Sequence, residues 1–144
     1  MTDLEQSTGF LVVRTARSMK RALDSRLAPI GVTAAQHVII STLAHEDGLS
    51  LSEVGKRAYL DKPAITGLAD RLEKDRLVER RRSTNDRRVV QLHLTPKGRD
   101  LLQEMDRIAT DVDRELVGIL SGVELRRLRE LVTRLWAHSN GEPR

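Results

Sequence analysis

Between Val78 and Leu94 the chain places five arginines around one turn: Arg80, Arg81 and Arg82 run into Ser83-Thr-Asn-Asp86, and Arg87 and Arg88 leave it. Guanidinium groups held this close repel one another unless carboxylates or a polyanion offset them. A narrow minor groove of duplex DNA is such a polyanion, because its enhanced negative potential draws in inserted arginine. Arg82, Arg87 and Arg88 are therefore candidate DNA-binding residues. Asp86 belongs to the same turn, where a carboxylate can cap the bend through the backbone and brace a neighbouring guanidinium, so that the tip stays rigid.

A second group lies just upstream. On a helical wheel starting at Asp61, the side opposite Ile65, Leu68 and Leu72 shows Pro63, Thr66, Gly67, Asp70 and Lys74, flanked by Lys62 and Arg71. Lys or Arg at the start of such a helix can donate to guanine O6 and N7 in a major groove, and a threonine can meet a base edge or a thymine methyl. Pro63 and Gly67 allow close approach. Asp70 repels phosphate, so its expected role is to orient Arg71 or Lys74, or to accept from a cytosine amino group. By itself this face is an ordinary amphipathic surface, and the arginine-rich turn behind it is what argues for DNA.

Other chemistry finds little support. The chain has no cysteine, which excludes disulfides, thiolate zinc sites and thiol-based redox sensing. It lacks a Gly-rich phosphate loop, a nucleophile elbow and a paired-histidine zinc motif, so no enzyme is expected. Of four histidines, His37 and His45 lie eight residues apart, too far for one ion, and neither a metal site nor a cofactor is expected. With only Phe10, Tyr59 and Trp136 as aromatics, a base-stacking platform for single strands is also disfavoured, which leaves duplex DNA.

A chain of 144 residues is the size of one domain, and 39% hydrophobic with 32% charged residues excludes intrinsic disorder. No apolar run approaches a membrane span, and Met1-Thr-Asp-Leu-Glu5 is not a signal peptide, so a cytoplasmic protein without membrane contact is expected. The net charge of +4 is unevenly spread: residues 50–100 hold thirteen Lys/Arg against eight Asp/Glu, which is more than the whole excess. A localised basic region is the electrostatic footprint of a phosphate-binding surface.

The elements that must position these residues are legible in outline. Phe10, Val13, Ala16, Met19, Leu23 and Leu27 recur at helical spacing from Leu4 until Pro29 and Gly31. Thr33 to Gln36 has capping-box form and opens a second helix ending near Asp47-Gly48. Ser50-Leu-Ser-Glu53 is another capping box, with Leu49 and Val54 as its hydrophobic staple, for a short third helix to about Ala58. Asp61 caps a fourth, with Pro63 in its first turn. Val78 to Arg82 and Val89 to Leu94 read as the strands of a hairpin. Thr95-Pro96 opens a long fifth helix carrying Leu101, Met105, Ile108, Val112, Leu116 and Ile119, and Ser121-Gly-Val-Glu124 caps a last one.

Together, Thr33-Ala-Ala-Gln36, Leu68-Ala-Asp-Arg-Leu-Glu73, Leu77-Val-Glu-Arg80, Asn85-Asp-Arg-Arg88 and Leu94-Thr-Pro-Lys-Gly98, in this order of elements, make the chain resemble the MarR family of bacterial regulators. The resemblance covers nearly the whole chain. It implies a mainly α (α+β) fold: a single domain over 1–144, with a winged helix-turn-helix head at 33–98, a two-stranded β-hairpin wing, and a helical dimerisation region from residues 1–30 and 100–140. It further implies a homodimer with intertwined first and last two helices, two heads on a pseudo-palindromic operator, and repression relieved by a small ligand. By position, Pro63, Thr66, Gly67 and Arg71 would face the major groove, Arg87 the minor groove, and Arg88 a phosphate or bracing partner. His37 stands where the family commonly has a bulky aromatic.

The dimer also follows from burial, because helices reaching from near residue 4 and to near residue 138 exceed what a three-helix head and one hairpin can cover. Arg14 and Arg17 offer positive charge to a small organic anion as effector, with His37 the third candidate for that site or else a half-buried packing residue. Two alternative readings are a metal-responsive regulator of the same fold and a winged-helix protein-interaction module that does not read an operator.

Overall fold

The computed structural model describes residues 3–140. Internal contacts divide the chain into two compact units, Met1–Ala109 and Thr110–Arg144.

In the first unit, Asp3–Gln6 form a 3-10 turn and Ser7 caps α1, Thr8–Leu27, so this helix begins four residues later than its apolar periodicity suggests. Thr8 follows a capping side chain, whereas Leu4 lies in a turn that bonds back from Ser7 N to Leu4 O at 3.0 Å. Gly31, at φ 78°, ends the 3-10 turn Ala28–Ile30 after α1. Helix α2, Ala34–His45, has its capping box formed: Thr33 N donates to Gln36 Oε1 at 2.9 Å and Gln36 N to Thr33 Oγ1 at 3.2 Å. Asp24 of α1 accepts from Ala34 N at 2.7 Å. Burial raises its pKa, but that bond and Lys20 outweigh it and leave the carboxyl below its ordinary value.

Helix α3, Leu51–Arg57, opens on the Ser50/Glu53 capping box, with the staple residues Leu49 and Val54 both buried. Both α3 and the following helix, α4 (Lys62–Lys74), end in the left-handed conformation without glycine: Tyr59 has φ 57° and Arg76 φ 62°. In each case the next amide reaches five residues back, Leu60 N to Gly55 O at 2.8 Å and Leu77 N to Leu72 O at 2.9 Å, the pattern of a Schellman cap. Asp61 caps α4 by accepting from Ala64 N at 2.9 Å. Helices α3 and α4 with their tight turn form the helix-turn-helix.

Strands β2, Val78–Arg82, and β3, Val90–Leu94, pair antiparallel with Arg80 opposite Leu92, and a third strand, β1 (Leu49–Ser50), pairs with the other edge of β3. The sheet is thus three-stranded, not the bare hairpin read from the sequence; two residues are too few to show an alternation. Val89 belongs to the turn instead of the strand, its amide donating to Asp86 O at 3.0 Å. The core of this unit gathers Leu27, Ile39, Ile40, Leu43, Leu72, Leu92 and Met105, all fully buried, each contributing about 1.5–3 kcal/mol through burial.

Helix α5, Pro96–Val117, begins where Thr95 accepts from Gly98 N at 3.0 Å and donates to Arg76 O at 2.7 Å. Gly98 is needed there, because a Cβ would stand 2.3 Å from Leu77 O. The helix stops at Val117, so Ile119 lies outside it and is 88% exposed, contrary to the helical register read from the sequence. In the second unit α6, Gly122–Ser139, starts at the Ser121/Glu124 capping box and buries none of its residues within this single chain. Among the described residues, no single helix is long and apolar enough to cross a membrane.

Candidate nucleic-acid interface

Ile65, Ala69 and Leu72 are the buried side of α4, and packing them inward turns Lys62, Pro63, Thr66, Gly67, Asp70, Arg71 and Lys74 outward. All seven are exposed. Thr66 donates its hydroxyl proton to Lys62 O at 2.9 Å, which fixes the rotamer and leaves the oxygen lone pairs and the methyl facing out. Among the described residues nothing lies within 4 Å of where a Cβ at Gly67 would stand, so no contact there requires a glycine.

The hairpin tip is held by short polar bonds. Ser83 is buried; its Oγ accepts from Asn85 N at 3.2 Å and Asp86 N at 3.4 Å, and its amide donates to Val89 O at 2.9 Å. Asp86 Oδ1 accepts from both Arg88 N and Arg88 Nε at 3.1 Å, and Arg88 Nη2 reaches Oδ2 at 3.4 Å. The Arg88 side chain, followed by its amide, holds the Asp86 carboxyl below its ordinary pKa. Arg82 Nη1 donates to Arg87 O at 3.0 Å and so spans the base of the turn.

The five arginines therefore differ in what they already hold. Arg80 binds Asp70 and Glu73, Arg81 binds Glu79 at 2.9 Å, Arg88 binds Asp86, and Arg82 reaches a carbonyl. Among the described residues, the Arg87 guanidinium has no partner. The expected role of Asp70 as an orienter of Arg71 or Lys74 needs correction: its partner is Arg80 of β2, at 2.5 Å. Arg71 is the next residue and projects to another side of the helix, while the planar guanidinium of Arg80 approaches from the sheet. Sequence reasoning missed this strand-to-helix pair, and its only signal was a carboxylate at i and i+3 on a basic face.

The three candidate effector residues are not brought together. Arg14 and Arg17 line an open groove of about 560 Å³ on α1 with Phe10, Val13, Lys20 and Arg21, and the Arg14 guanidinium lies 5.5 Å from the centre of the Phe10 ring. His37 borders a different depression, with Val38, Ser41 and His45, and its Nε2 is 2.7 Å from Asp106 Oδ1. Among the described residues no group of three His, Asp or Glu side chains is arranged to hold a metal ion.

A helix pair presenting an uncommitted polar and basic face, followed by a braced antiparallel wing whose tip arginine has no partner among the described residues, defines a winged helix-turn-helix protein. Residues 32–90 match the MarR family, and the chain belongs to that family. Among its relatives, the HTH-type transcriptional regulator TtmR of Methylorubrum extorquens is 36% identical over 92% of this chain and 66% of its own. The HTH-type transcriptional repressor MdtR of Bacillus subtilis is 34% identical over 68% of this chain and 61% of its own. The chain thus spans somewhat less than two thirds of the length of these two relatives. A Cys-to-Ser variant of Escherichia coli MarR, solved in complex with operator DNA, superposes with a TM-score of 0.82 at 27% identity, over 88% of this chain and 91% of that one. Bordetella bronchiseptica BpsR, whose DNA binding is regulated by 6-hydroxynicotinic acid, superposes with a TM-score of 0.87 at 26% identity, over 94% of this chain and 96% of that one. These relatives are transcriptional regulators, not enzymes.

Proposed function

We propose that this protein is a sequence-specific regulator of transcription that binds a pseudo-palindromic operator as a homodimer, represses from it, and is released by a small organic anion. The observation that carries the reading is where positive charge is left uncommitted. Among the described residues of the head, Lys56, Lys62, Arg71, Lys74, Arg76 and Arg87 have no ion pair and no side-chain hydrogen bond, and they lie on α3, at α4 and at the wing tip. The remaining Lys and Arg side chains of the head are engaged, for example Arg57 with Glu46 and Lys97 with the Asp75 carbonyl. Unpaired cations gathered on one reading element and its wing are suited to exchange counterions for phosphates.

In this reading Pro63, Thr66, Gly67 and Arg71 face base edges in the major groove, and Lys62 and Lys74 meet the flanking phosphates. Arg87 enters the minor groove, Arg82 and Asp86 hold the tip, and Arg88 braces it while reaching a phosphate. The exposed apolar residues of α6, Leu128, Leu131, Val132, Leu135 and Trp136, are covered by a second copy, as are Val12 and Val13 of α1. Two heads related by a twofold axis read half-sites about 10 base pairs apart. Repression is supported by the likeness to MdtR, and an anionic effector by the likeness to BpsR and by the charge of Arg14 and Arg17 in their groove.

The test is to sequence the genomic duplexes that the protein selects and to titrate the preferred one against salt. The expected result is an inverted-repeat motif whose binding weakens steeply as salt rises, with a log–log slope of about −0.9 for each phosphate contacted. Binding that is indifferent to both sequence and salt overturns the reading.

A further inference from the structure

One arginine of the wing faces away from DNA-binding duty. Arg80 lies in β2, opposite Leu92 of β3, with its side chain only 25% exposed while that of the adjacent Arg81 is 57% exposed. Its Nη2 is 2.5 Å from Asp70 Oδ1 and its Nη1 is 3.3 Å from Glu73 Oε1, and its backbone amide donates to Glu73 Oε2 at 3.1 Å. Asp70 and Glu73 are one turn apart on α4, so a single residue at the root of the wing makes three links to the reading helix. A planar guanidinium with fixed donor directions holds two carboxylates in one orientation, which a lysine ammonium does not. The same contacts offset two negative charges that would otherwise face a polyanion.

Resting on the reading of the head as an operator-binding unit, we infer that Arg80 is a positioning residue: through Asp70 and Glu73 it locks the reading helix and the wing in one register. The protein thereby selects operators by the spacing between a major-groove element and a minor-groove element. The guanidinium charge is already held by two carboxylates, so Arg80 is not itself a phosphate contact. The carboxylate ends of these pairs are 61% and 43% exposed, and ion pairs open to solvent contribute little to stability. The consequence of losing this one is therefore altered selectivity and not unfolding.

The experiment compares the selected operator with a version in which the minor-groove tract is moved by one base pair relative to the major-groove element. Wild type is expected to bind the displaced version about tenfold less well. Arg80→Ala, and separately the double variant Asp70→Asn with Glu73→Gln, are expected to bind the two duplexes within about twofold of each other, with the salt slope of wild type, and Arg80→Lys to fall between. Discrimination retained in either variant overturns the positioning role while leaving operator binding standing. A salt slope reduced by about 1 in Arg80→Ala, with discrimination intact in the carboxylate double variant, overturns it in favour of a direct phosphate contact. Failure of wild type to prefer any sequence overturns both this inference and the function on which it rests.

Discussion

Arg87 differs from its four neighbours in the wing because its side chain holds nothing among the described residues, whereas each of the others is committed to a carboxylate or a carbonyl. Its backbone carbonyl is nevertheless tied by Arg82, so the Cα is placed while the guanidinium is available. Arg87→Ala is expected to weaken operator binding by about 1–3 kcal/mol and to lower the salt slope by about 1, with thermal stability and oligomeric state unchanged. Titration of the variant at several salt concentrations checks this, and a curve coincident with wild type removes Arg87 from the interface. Asp86 gives the tip a pH dependence. Its folded-state carboxyl is held below the ordinary value of about 3.9, chiefly by the Arg88 side chain and then by the Arg88 amide. Bracing by a group with a depressed pKa is present above the unfolded value and is lost as pH falls through the folded one. Amide exchange at Arg88 is therefore expected to accelerate as pH drops below about 4, beyond the intrinsic change, and Asp86→Asn is expected to show the faster exchange already at about pH 7.

Two glycines at the level of elements have opposite reasons for being there. Gly98 lets the first turn of α5 approach the loop before β2, and a Cβ at that position meets Leu77 O at 2.3 Å, a backbone atom that cannot swing aside. Gly98→Ala is expected to destabilise the fold by at least about 1–3 kcal/mol, measured by denaturant titration. Gly67 is the converse, an exposed mid-helix glycine with no neighbour within 4 Å of a Cβ. Gly67→Ala is expected to stabilise α4 by up to about 1 kcal/mol and at the same time to weaken operator binding, because the missing side chain is room for a groove wall. A variant that gained stability and kept full affinity would show that α4 does not approach DNA at this turn.

The whole molecule, taken as one copy, leaves α6 unfinished. The helix is capped and regular, yet Leu128, Leu131 and Leu135 remain 39–50% exposed along it, an apolar stripe that a stable monomer does not leave open to water. If α6 forms the proposed homodimer seam, Leu131→Glu is expected to shift the protein from dimer to monomer in sedimentation. It is also expected to remove most of the preference for a full operator over a half-site, which tethering two heads raises by about 10²–10⁴. A dimeric variant with that preference intact would place the interface elsewhere.

The sequence by itself determined the elements and the family, because caps and periodicities are local. Thr33 with Gln36, Ser50 with Glu53, Asp61, Thr95-Pro96 and Ser121 with Glu124 each stand where a helix starts, and the turn from Ser83 to Asp86 sits between its strands. The outward face of α4 was legible for the same reason, since Ile65 and Leu72 fix it by period alone. What only the tertiary structure decided depends on residues far apart in the chain or on features too short to be periodic. These are the pairing of Leu49 and Ser50 with β3, the end of α5 before Ile119, the separation of Arg14 and Arg17 from His37, and the division of labour among five similar arginines. A guanidinium reads the same in sequence whether it faces water, a carboxylate or a groove. Only the fold brings Asp70 and Glu73 to Arg80 and leaves Arg87 without a partner among the described residues.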